Sequence, residues 1–244
     1  MSSIKKARTS AKKQRLYMTP NAEIKKIVEE VGQDIIWRPL YDFERNKLSG
    51  GVGHDIDGID PEFTELDFTG KTVCDLGCNL GHFTFYAHER GAKEVVGYDM
   101  EPKVIKGAKK LAALYNIENV EFETCNFASE PATRTFDMGM LIDILGKINI
   151  SNGFLIPILK GLESRSKSEM LLTFRPLYLV KRHFGMSEDE FLKLYPQAQI
   201  KNGFFSLLDF AQNFFAEKWK VTYLSKELPD DEQYKRTVHF IRKA

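Results

Sequence analysis

The sequence has no apolar run near the length that spans a membrane and no secretory signal. A membrane-spanning helix needs roughly 18 or more apolar residues, and no apolar stretch follows the basic amino terminus. The three cysteines, Cys74, Cys78 and Cys125, do not show the spacing of a disulfide framework. These absences argue against a membrane-spanning or disulfide-stapled protein, and we expect a cytoplasmic protein with reduced thiols.

Two common catalytic patterns are also absent. The five histidines show no spacing typical of metal ligands, so we predict no metal site. No G-x-S-x-G segment is present, which argues against the nucleophile elbow of a serine hydrolase. The candidate chemistry therefore lies in the loops that follow predicted strands.

Charge is distributed unevenly along the 244 residues. The chain has 35 basic and 34 acidic side chains, but residues 1–22 contain six of the basic ones and no acid. A basic arm of this kind either binds a polyanion such as RNA or is a solvated, disordered terminus. We predict a disordered arm over residues 1–20, a helix and lid segment over 21–69, and a cofactor-binding domain over 70–244.

Short apolar runs alternate with helical segments from residue 70 onward. Repeated strand–helix units with nearly continuous apolar strands predict a mostly parallel sheet with helices on both faces. The first five predicted strands are 71–76, 94–99, 120–125, 136–142 and 169–174. Two further strands, 218–224 and 235–241, have no helix between them and predict an antiparallel terminal pair. The fold class is therefore α/β: a Rossmann-like, doubly wound, seven-stranded sheet with an antiparallel terminal strand and an N-terminal helical extension.

The strongest functional signal is the segment VCDLGCNLGHF (73–83), which connects the first predicted strand to a helix. Ligands of doubly wound sheets bind beyond the carboxyl ends of the strands, near the switch in strand order. Gly77 permits close approach of the backbone, Gly81 permits tight packing of the helix, and Asn79 tolerates a left-handed conformation. Asp75 would repel a pyrophosphate, but it suits the α-ammonium group of S-adenosylmethionine (SAM), directly or through water.

Further candidates follow the next three strands. Asp99 can accept hydrogen bonds from two ribose hydroxyls, or it can cap the helix that follows. After the third strand, the Asn126 side chain can bind an adenine edge and the Phe127 ring can cover its face, although Phe127 also suits a hydrophobic core. Asp143 and Lys147 follow the fourth strand.

These segments resemble motifs of the class I SAM-dependent methyltransferases. VCDLGCNLGHF is similar to their glycine motif, with Asn79 in place of the usual middle glycine, and VVGYD is similar to their ribose-binding strand. FDMGMLIDILGKI resembles the motif F-D-x-x-x-x-x-D-V-L-E-H-I, but Gly146 and Lys147 replace its Glu-His pair, so a histidine base is not expected. The resemblance covers roughly residues 70–242 and implies SAM as cofactor and S-adenosylhomocysteine (SAH) as product. The predicted cofactor-binding residues are Asp75, Gly77, Cys78, Asn79, Gly81, Asp99, Met100, Asn126, Phe127 and Ile142.

The acceptor side is less specific. Asp143 is the candidate catalytic base or acceptor anchor, with a structural role as the alternative. We predict a lid over residues 34–58, because the glycines of SGGVGH permit hinge motion and closure would exclude water; Trp37 and Tyr41 would otherwise pack the first helix on the domain. The long aromatic segment 175–203 either borders the site or packs a helix face. The candidate lid or substrate residues are Trp37, Arg38, Tyr41, Arg45, Lys147, Arg175 and Tyr178.

Four functions are compatible with parts of this pattern. Asp75 and the missing G-x-G-x-x-G disfavour a NAD-binding oxidoreductase, and the intact loop with Asp99 disfavours a non-catalytic module. RNA methylation or carboxymethylation through the basic arm is an alternative. It is supported by a looser resemblance to the tRNA wobble-uridine carboxymethyltransferase family in Trp37-Arg38, RGAKEVVGYDMEP and the terminal segment GFFSLLDFAQNFF…PDDEQYKRTVHF. We predict methyl transfer to a small molecule or glycan rather than to RNA, with no membrane partner.

Overall fold

A computed structural model describes residues 20–41, 47–49, 51, 66–224 and 235–244. The predicted basic arm before residue 20, Arg45 and most of the glycine-rich part of the predicted lid lie outside the described residues. No helix in the described ranges combines the length and the apolar character needed to cross a membrane. The three cysteines are buried free thiols.

The predicted amino-terminal helix is present and packs on the domain. The first elements are helix α1 (Pro20–Val31), a 3-10 turn (Gln33–Ile35) and two short antiparallel strands, β1 (Leu40–Tyr41) and β2 (Lys47–Ser49). The side chains of its apolar face are buried, and they are Ile24, Ile27, Val28 and Val31. They pack against Leu80, Val104 and Leu111, so that α1 covers the helix of residues 102–115.

Seven strands form the main sheet. They are β3 (Thr72–Leu76), β4 (Glu94–Asp99), β5 (Val120–Thr124), β6 (Phe136–Ile142), β7 (Ser166–Phe174), β11 (Trp219–Leu224) and β12 (Arg236–Arg242). The order across the sheet is β11-β12-β7-β6-β3-β4-β5. Strand β12 runs antiparallel to β7 and β11, whereas all other neighbours are parallel. The predicted seven-stranded, mostly parallel sheet is confirmed, and its reversed strand lies one position inside the edge.

Helices cover both faces of this sheet. They are α2 (His82–Glu89), α3 (Pro102–Tyr115), α4 (Lys147–Ser151), α5 (Leu155–Arg165), α6 (Val180–Phe184), α7 (Glu188–Leu194) and α8 (Leu207–Phe215). Because side chains alternate between the faces of a strand, Val73 packs with α2 and α3, whereas Cys74 packs with α5 and α8. The sheet therefore separates two hydrophobic layers.

The aromatic segment after β7 is a packed unit. It contains α6, α7 and a small antiparallel sheet of β8 (Leu177–Leu179), β9 (Ile200–Lys201) and β10 (Phe204–Ser206). The rings of Phe191, Tyr195 and Phe205 are almost fully buried, and the Phe191 and Phe205 ring centroids lie 4.8 Å apart. The structure therefore favours the packing alternative for these aromatic side chains.

The strand order places the switch point at β3 and β6. From β3 the chain proceeds outward through β4 and β5, and then returns to the other side of β3 for β6 and β7. The loops after β3, β4, β5 and β6 consequently lie at one edge, where doubly wound sheets bind their ligands. All cofactor candidates from the sequence lie in or beside these loops.

Candidate functional site

The loop between β3 and α2 passes through three left-handed residues. Gly77, Asn79 and Gly81 have φ angles of 80°, 49° and 87°. A Cβ on Gly77 would lie 2.2 Å from Cδ1 of Ile144, and one on Gly81 would lie 2.6 Å from Cζ of Phe122. The predicted left-handed Asn79 is confirmed, and the positive φ angles favour glycine at the other two positions, where a side chain would also displace the ends of Ile144 and Phe122.

Asp99, the last residue of β4, holds the loop between β3 and α2 by a hydrogen bond. Its Oδ2 accepts a hydrogen bond from the Asn79 N–H at 2.9 Å, and its Oδ1 accepts one from the Glu101 N–H at 3.0 Å. The helix cap predicted as an alternative role belongs to Glu101, whose side chain accepts from the Lys103 N–H. Burial raises the pKa of Asp99, and the two amide bonds oppose this shift. Each carboxylate oxygen retains a lone pair that can accept from a hydroxyl group.

Asp75 lies beneath the loop, with only 2% of its surface exposed. Its Oδ2 accepts a hydrogen bond of 2.7 Å from the Thr84 hydroxyl on α2. Burial raises the pKa of Asp75 to about 7, and the nearby negative charge of Asp99 adds to the rise, whereas Arg38 opposes it. Because its carboxyl group titrates near neutral pH, a cation bound beside it would favour the ionised form.

The loop after β5 continues the same edge. Its first residue, Cys125, donates its N–H to the carbonyl of Asp99 at 2.9 Å. The Asn126 side chain is partly exposed, and its Oδ1 accepts the N–H of the residue two positions later. The ring of Phe127 packs in the hydrophobic core, whereas the side chain of Met100 is 68% exposed. The exposed apolar candidate for an adenine face is therefore Met100.

An ion cluster lies at the carboxyl end of β6. Asp143, in a left-handed conformation with φ 60°, pairs through Oδ2 with the guanidinium of Arg38 and with Nζ of Lys235 at 2.8 Å. Arg38 also lies over the ring of Phe83, 5.2 Å from its centroid. Sequence reasoning missed Lys235, although the predicted antiparallel strand indicates that this strand begins at the carboxyl edge.

The described part of the predicted lid crosses the loop after β3. The Asn79 side chain donates from Nδ2 to the Ile35 carbonyl at 2.8 Å and accepts the Trp37 N–H at 3.2 Å. The His82 ring bonds to the Pro39 carbonyl, and burial, together with nearby Arg38, lowers the pKa of His82 to about 4. Asn79 thus ties the amino-terminal segment to the loop, and His82 was not identified from the sequence.

The remaining candidates lie in different surroundings. Ile142 and Cys78 are buried at the base of the site, and Lys147 is exposed at the start of α4. Tyr178 lies in the core and donates its hydroxyl to the Leu145 carbonyl at 3.2 Å. Trp37 is 58% exposed, and Arg175 donates Nε to the Leu177 carbonyl. The side chains of Tyr41 and Arg45 lie outside the described residues.

A family model described as "Methyltransferase domain" matches residues 67–210. The chain is similar to a ribosomal protein L11 methyltransferase of Vibrio cholerae, with 33% identity over 97 residues. The match covers 40% of this chain and 31% of that protein. It is also similar to a 23S rRNA (uracil(1939)-C(5))-methyltransferase of Francisella tularensis subsp. novicida, with 34% identity over 120 residues. This match covers 41% of this chain and 26% of that protein. The matched region thus spans less than a third of these relatives.

Two solved structures show a similar fold. A putative SAM-dependent methyltransferase from Listeria monocytogenes aligns with a TM-score of 0.52 at 18% identity, covering 75% of this chain and 96% of that chain. A magnesium protoporphyrin IX methyltransferase from Synechocystis with bound SAH aligns with a TM-score of 0.50 at 19% identity, covering 72% and 75%. At these identities the likeness concerns the fold alone.

Proposed function

The chain belongs to the methyltransferase domain family of class I SAM-dependent enzymes, and from this membership we propose that it transfers a methyl group from SAM to an acceptor held near Asp143. The observation that carries the proposal is the position of Asp99. Its carboxylate is bound to the amide of Asn79 and lies next to the loop after β5. The residues that would bind the ribose, the methionine end and the adenine therefore share one edge of the sheet.

The residues at this edge suit the parts of SAM. Asp99 would bind the ribose hydroxyls, Asn126 would bind the adenine edge, and Met100 would cover the adenine face. The loop that contains Gly77 would hold the methionine end, with Asp75 near the α-ammonium group, directly or through water. Cys78 and Ile142 would form the buried wall. SAM supplies an activated methyl group on a sulfonium.

The protein's own contribution to transfer is positioning. Holding the attacking atom in line and excluding water supplies much of the rate acceleration in such a reaction, and a base is needed only for a protonated acceptor. We assign Asp143 to anchoring, because two cations already engage its carboxylate. Arg38 links the amino-terminal segment to this anchor, since its guanidinium also packs on Phe83.

We propose a small-molecule acceptor, such as a metabolite or glycan. The amino-terminal segment crosses the carboxyl edge, and the ion cluster of Arg38, Asp143 and Lys235 connects it to β6 and to the residue before β12. An edge covered in this way suits a compact acceptor better than a polynucleotide. A cytoplasmic location is part of the same proposal and derives from the cysteine pattern.

RNA is the second candidate acceptor, and two observations favour it. Residues 1–22 carry six basic side chains without an acid, and one relative is a 23S rRNA methyltransferase. If the arm binds RNA, the logarithm of the affinity should fall linearly with the logarithm of salt concentration, because bound counterions are released. Titration of a structured RNA at several salt concentrations, with and without residues 1–19, separates the two candidates.

Calorimetric titration with SAM, SAH and NAD tests the shared premise. SAM and SAH should bind with one-to-one stoichiometry, and NAD should not bind, because Asp75 disfavours a pyrophosphate at this loop and the G-x-G-x-x-G pattern is missing. Binding of NAD without binding of SAM or SAH would contradict the proposed function.

The raised pKa of Asp75 predicts a pH-dependent affinity for SAH. The ionised form suits the cationic α-ammonium group, so binding below pH 7 must release the proton of a carboxyl group whose pKa is about 7. The affinity should therefore rise with pH between about pH 5.5 and 7.5, by at most about tenfold per pH unit, and then level off. Calorimetry in two buffers of different ionisation enthalpy counts the released protons.

The same pKa sets the sign of a stability effect without ligand. The pKa of Asp75 in the folded protein lies above the ordinary value of 3.8, so its stabilising contribution is complete below about pH 4 and is lost as the pH rises through 7. Asp75→Asn should remove both pH dependences, whereas Asp137→Asn, at the opposite edge, should retain them. Equal pH dependence of SAH binding in wild type and Asp75→Asn would contradict the assignment.

Hydrogen exchange with and without SAH tests the proposed lid over residues 34–58. We expect protection of this segment on binding, because its described part is tied to the cofactor loop through Asn79. Asn79→Gly restores the usual glycine of the family at a left-handed position, and it removes both side-chain bonds without backbone strain. Protection of 34–58 should then decrease. Protection confined to residues 73–100 and 124–145 in the wild type would reject the lid.

A further inference from the structure

Helix α5 approaches the loop of residues 125–131 very closely. A Cβ on Gly161 would lie 2.3 Å from the carbonyl oxygen of Phe127 and 3.0 Å from its carbonyl carbon. Glycine inside a helix costs about 1 kcal/mol relative to alanine. Gly161 lies at the point where the backbones of α5 and the loop meet, and no larger residue would fit there without a shift. The close contact between α5 and the loop is therefore a specific feature of the fold.

Arg165 lies one helical turn after Gly161 and contacts the same loop. The side chain is buried, with 3% of the residue exposed. Its Nη1 donates to the carbonyl of Phe127 at 3.4 Å, and its Nη2 donates to the carbonyls of Glu130 at 3.1 Å and Pro131 at 3.5 Å. One guanidinium thus bonds three carbonyls of a single loop.

Arg165 makes further contacts through the same two nitrogens. Nη1 also donates to the Gly161 carbonyl at 3.2 Å and to the Ser164 hydroxyl at 3.5 Å, and Nη2 lies 3.5 Å from Sγ of Cys125. The guanidinium carbon is 5.8 Å from the centroid of the Tyr98 ring. The four N–H groups of Nη1 and Nη2 are shared among these six acceptors, whereas an ammonium group offers only three donors from one nitrogen.

The burial of this charge and the shape of the loop depend on each other. A buried cation is costly unless polar groups compensate it, and the loop carbonyls supply that compensation. The carbonyls of an irregular segment need donors in turn, because no strand or helix partner satisfies them. Replacing Arg165 would therefore leave several carbonyls without donors, and the loop would shift or take up water.

The loop carries the adenine-side residue of the proposed cofactor site. Its first N–H bonds the Asp99 carbonyl, and the Asn126 N–H donates to Oε1 of Glu130 at 2.7 Å. The orientation of Asn126 thus depends on the same loop residues whose carbonyls Arg165 binds. A displacement of this loop would change the contacts at the adenine edge before those at the ribose or the methionine end.

We propose that Arg165, together with Gly161, is a positioning residue that sets the selectivity of the site for the adenine base. This inference rests on the proposed binding of SAM. Arg165 itself is buried behind the loop and acts through Asn126. The expected signature is a loss of discrimination between adenine and a purine that presents a different edge, with little change elsewhere in the site.

The experiment compares SAH with S-inosylhomocysteine, in which a carbonyl replaces the adenine amino group. Wild-type protein should prefer SAH. Arg165→Lys keeps the charge but loses the planar fork, and it should reduce SAH affinity about tenfold, the scale of a charged hydrogen bond. The affinity for S-inosylhomocysteine should change less than about twofold, because that ligand makes no matched adenine contact. The ratio of the two affinities, measured by calorimetry, should therefore fall.

Two further variants separate positioning from stability. Tyr195→Phe removes one buried hydrogen bond to the Ile150 carbonyl, far along the chain from the loop, and should lower the melting temperature without changing the affinity ratio. In Gly161→Ala the added methyl group should displace the Phe127 carbonyl and lower the ratio of SAH affinity to S-inosylhomocysteine affinity, as Arg165→Lys does. This variant provides the test if Arg165→Lys does not fold.

The outcomes distinguish the two proposals. A folded Arg165→Lys protein with an unchanged ratio, or with equal weakening of both ligands, would overturn the positioning role. Failure of the wild-type protein to bind SAH would instead overturn the proposed function. A lowered ratio of SAH affinity to S-inosylhomocysteine affinity in Arg165→Lys and Gly161→Ala, together with the wild-type ratio in Tyr195→Phe, supports the positioning role.

Discussion

Replacing Asp99 with alanine should weaken SAH binding by about 1–3 kcal/mol, or roughly five- to 150-fold. The change removes the carboxylate proposed to bind the ribose, and it also frees the N–H groups of Asn79 and Glu101 that this carboxylate now accepts. Loss of the Asn79 bond loosens the left-handed loop that would hold the methionine end. Isothermal calorimetry with SAH measures the effect, and circular dichroism establishes that the variant is folded.

Asp137 provides a matched control for this variant. It lies near the amino end of β6, at the opposite edge of the sheet, where its Oδ2 accepts the Thr72 N–H at 2.9 Å and the Thr72 hydroxyl at 2.8 Å. These bonds lower the pKa of Asp137. Asp137→Ala should therefore lose stability but retain SAH affinity. If Asp99→Ala is folded and binds SAH as tightly as wild type, Asp99 does not hold the ribose.

Phe191→Ala should lower the free energy of unfolding by about 3–5 kcal/mol. The Phe191 ring is fully buried, with centroids 4.8 Å from that of Phe205, 5.2 Å from that of Phe184 and 5.1 Å from that of Tyr195. Truncation creates a cavity at the centre of this aromatic group, whose other members lie on β10 (Phe205), on α6 (Phe184) and directly after α7 (Tyr195). Urea denaturation followed by circular dichroism measures the change.

Phe204 is the matched control, because it is the same residue type in the same segment but 41% exposed on β10. Phe204→Ala should cost less than about 1 kcal/mol. Both variants should bind SAH like wild type under conditions in which they are folded. A cost for Phe191→Ala as small as that for Phe204→Ala would show that the aromatic segment is not the packed unit inferred from the structure.

The sequence determined the sheet and the cofactor loop with few errors. The predicted strand 94–99 spans Glu94–Asp99, and the left-handed Asn79 agrees with the prediction for its loop. These features depend on local signals: runs of apolar residues and residues that tolerate positive φ. Strand β7 begins at Ser166, three residues before the prediction, because the polar run SKS gives no apolar signal and is drawn into the sheet by its neighbours.

Candidate cofactor residues could be placed at one edge from the sequence because four loops at the carboxyl edge follow four recognisable strands. The sequence did not show which of these loop side chains are buried and which face the candidate site. Asp75 and Phe127 both follow the expected pattern, yet the first lies beneath its loop and the second turns its ring into the core. Whether a side chain in a loop faces the ligand or the interior depends on which helix packs behind it.

Only the tertiary structure brought together the groups that connect distant segments. The ion cluster joins Arg38, Asp143 and Lys235, and Arg165 binds a loop about 35 residues earlier in the chain. Neither arrangement has a local pattern, because each arises from the order in which strands enter the sheet. Periodicity and turn chemistry act over a few residues and therefore appear in the sequence, whereas charge pairing and carbonyl satisfaction across the fold are decided by packing.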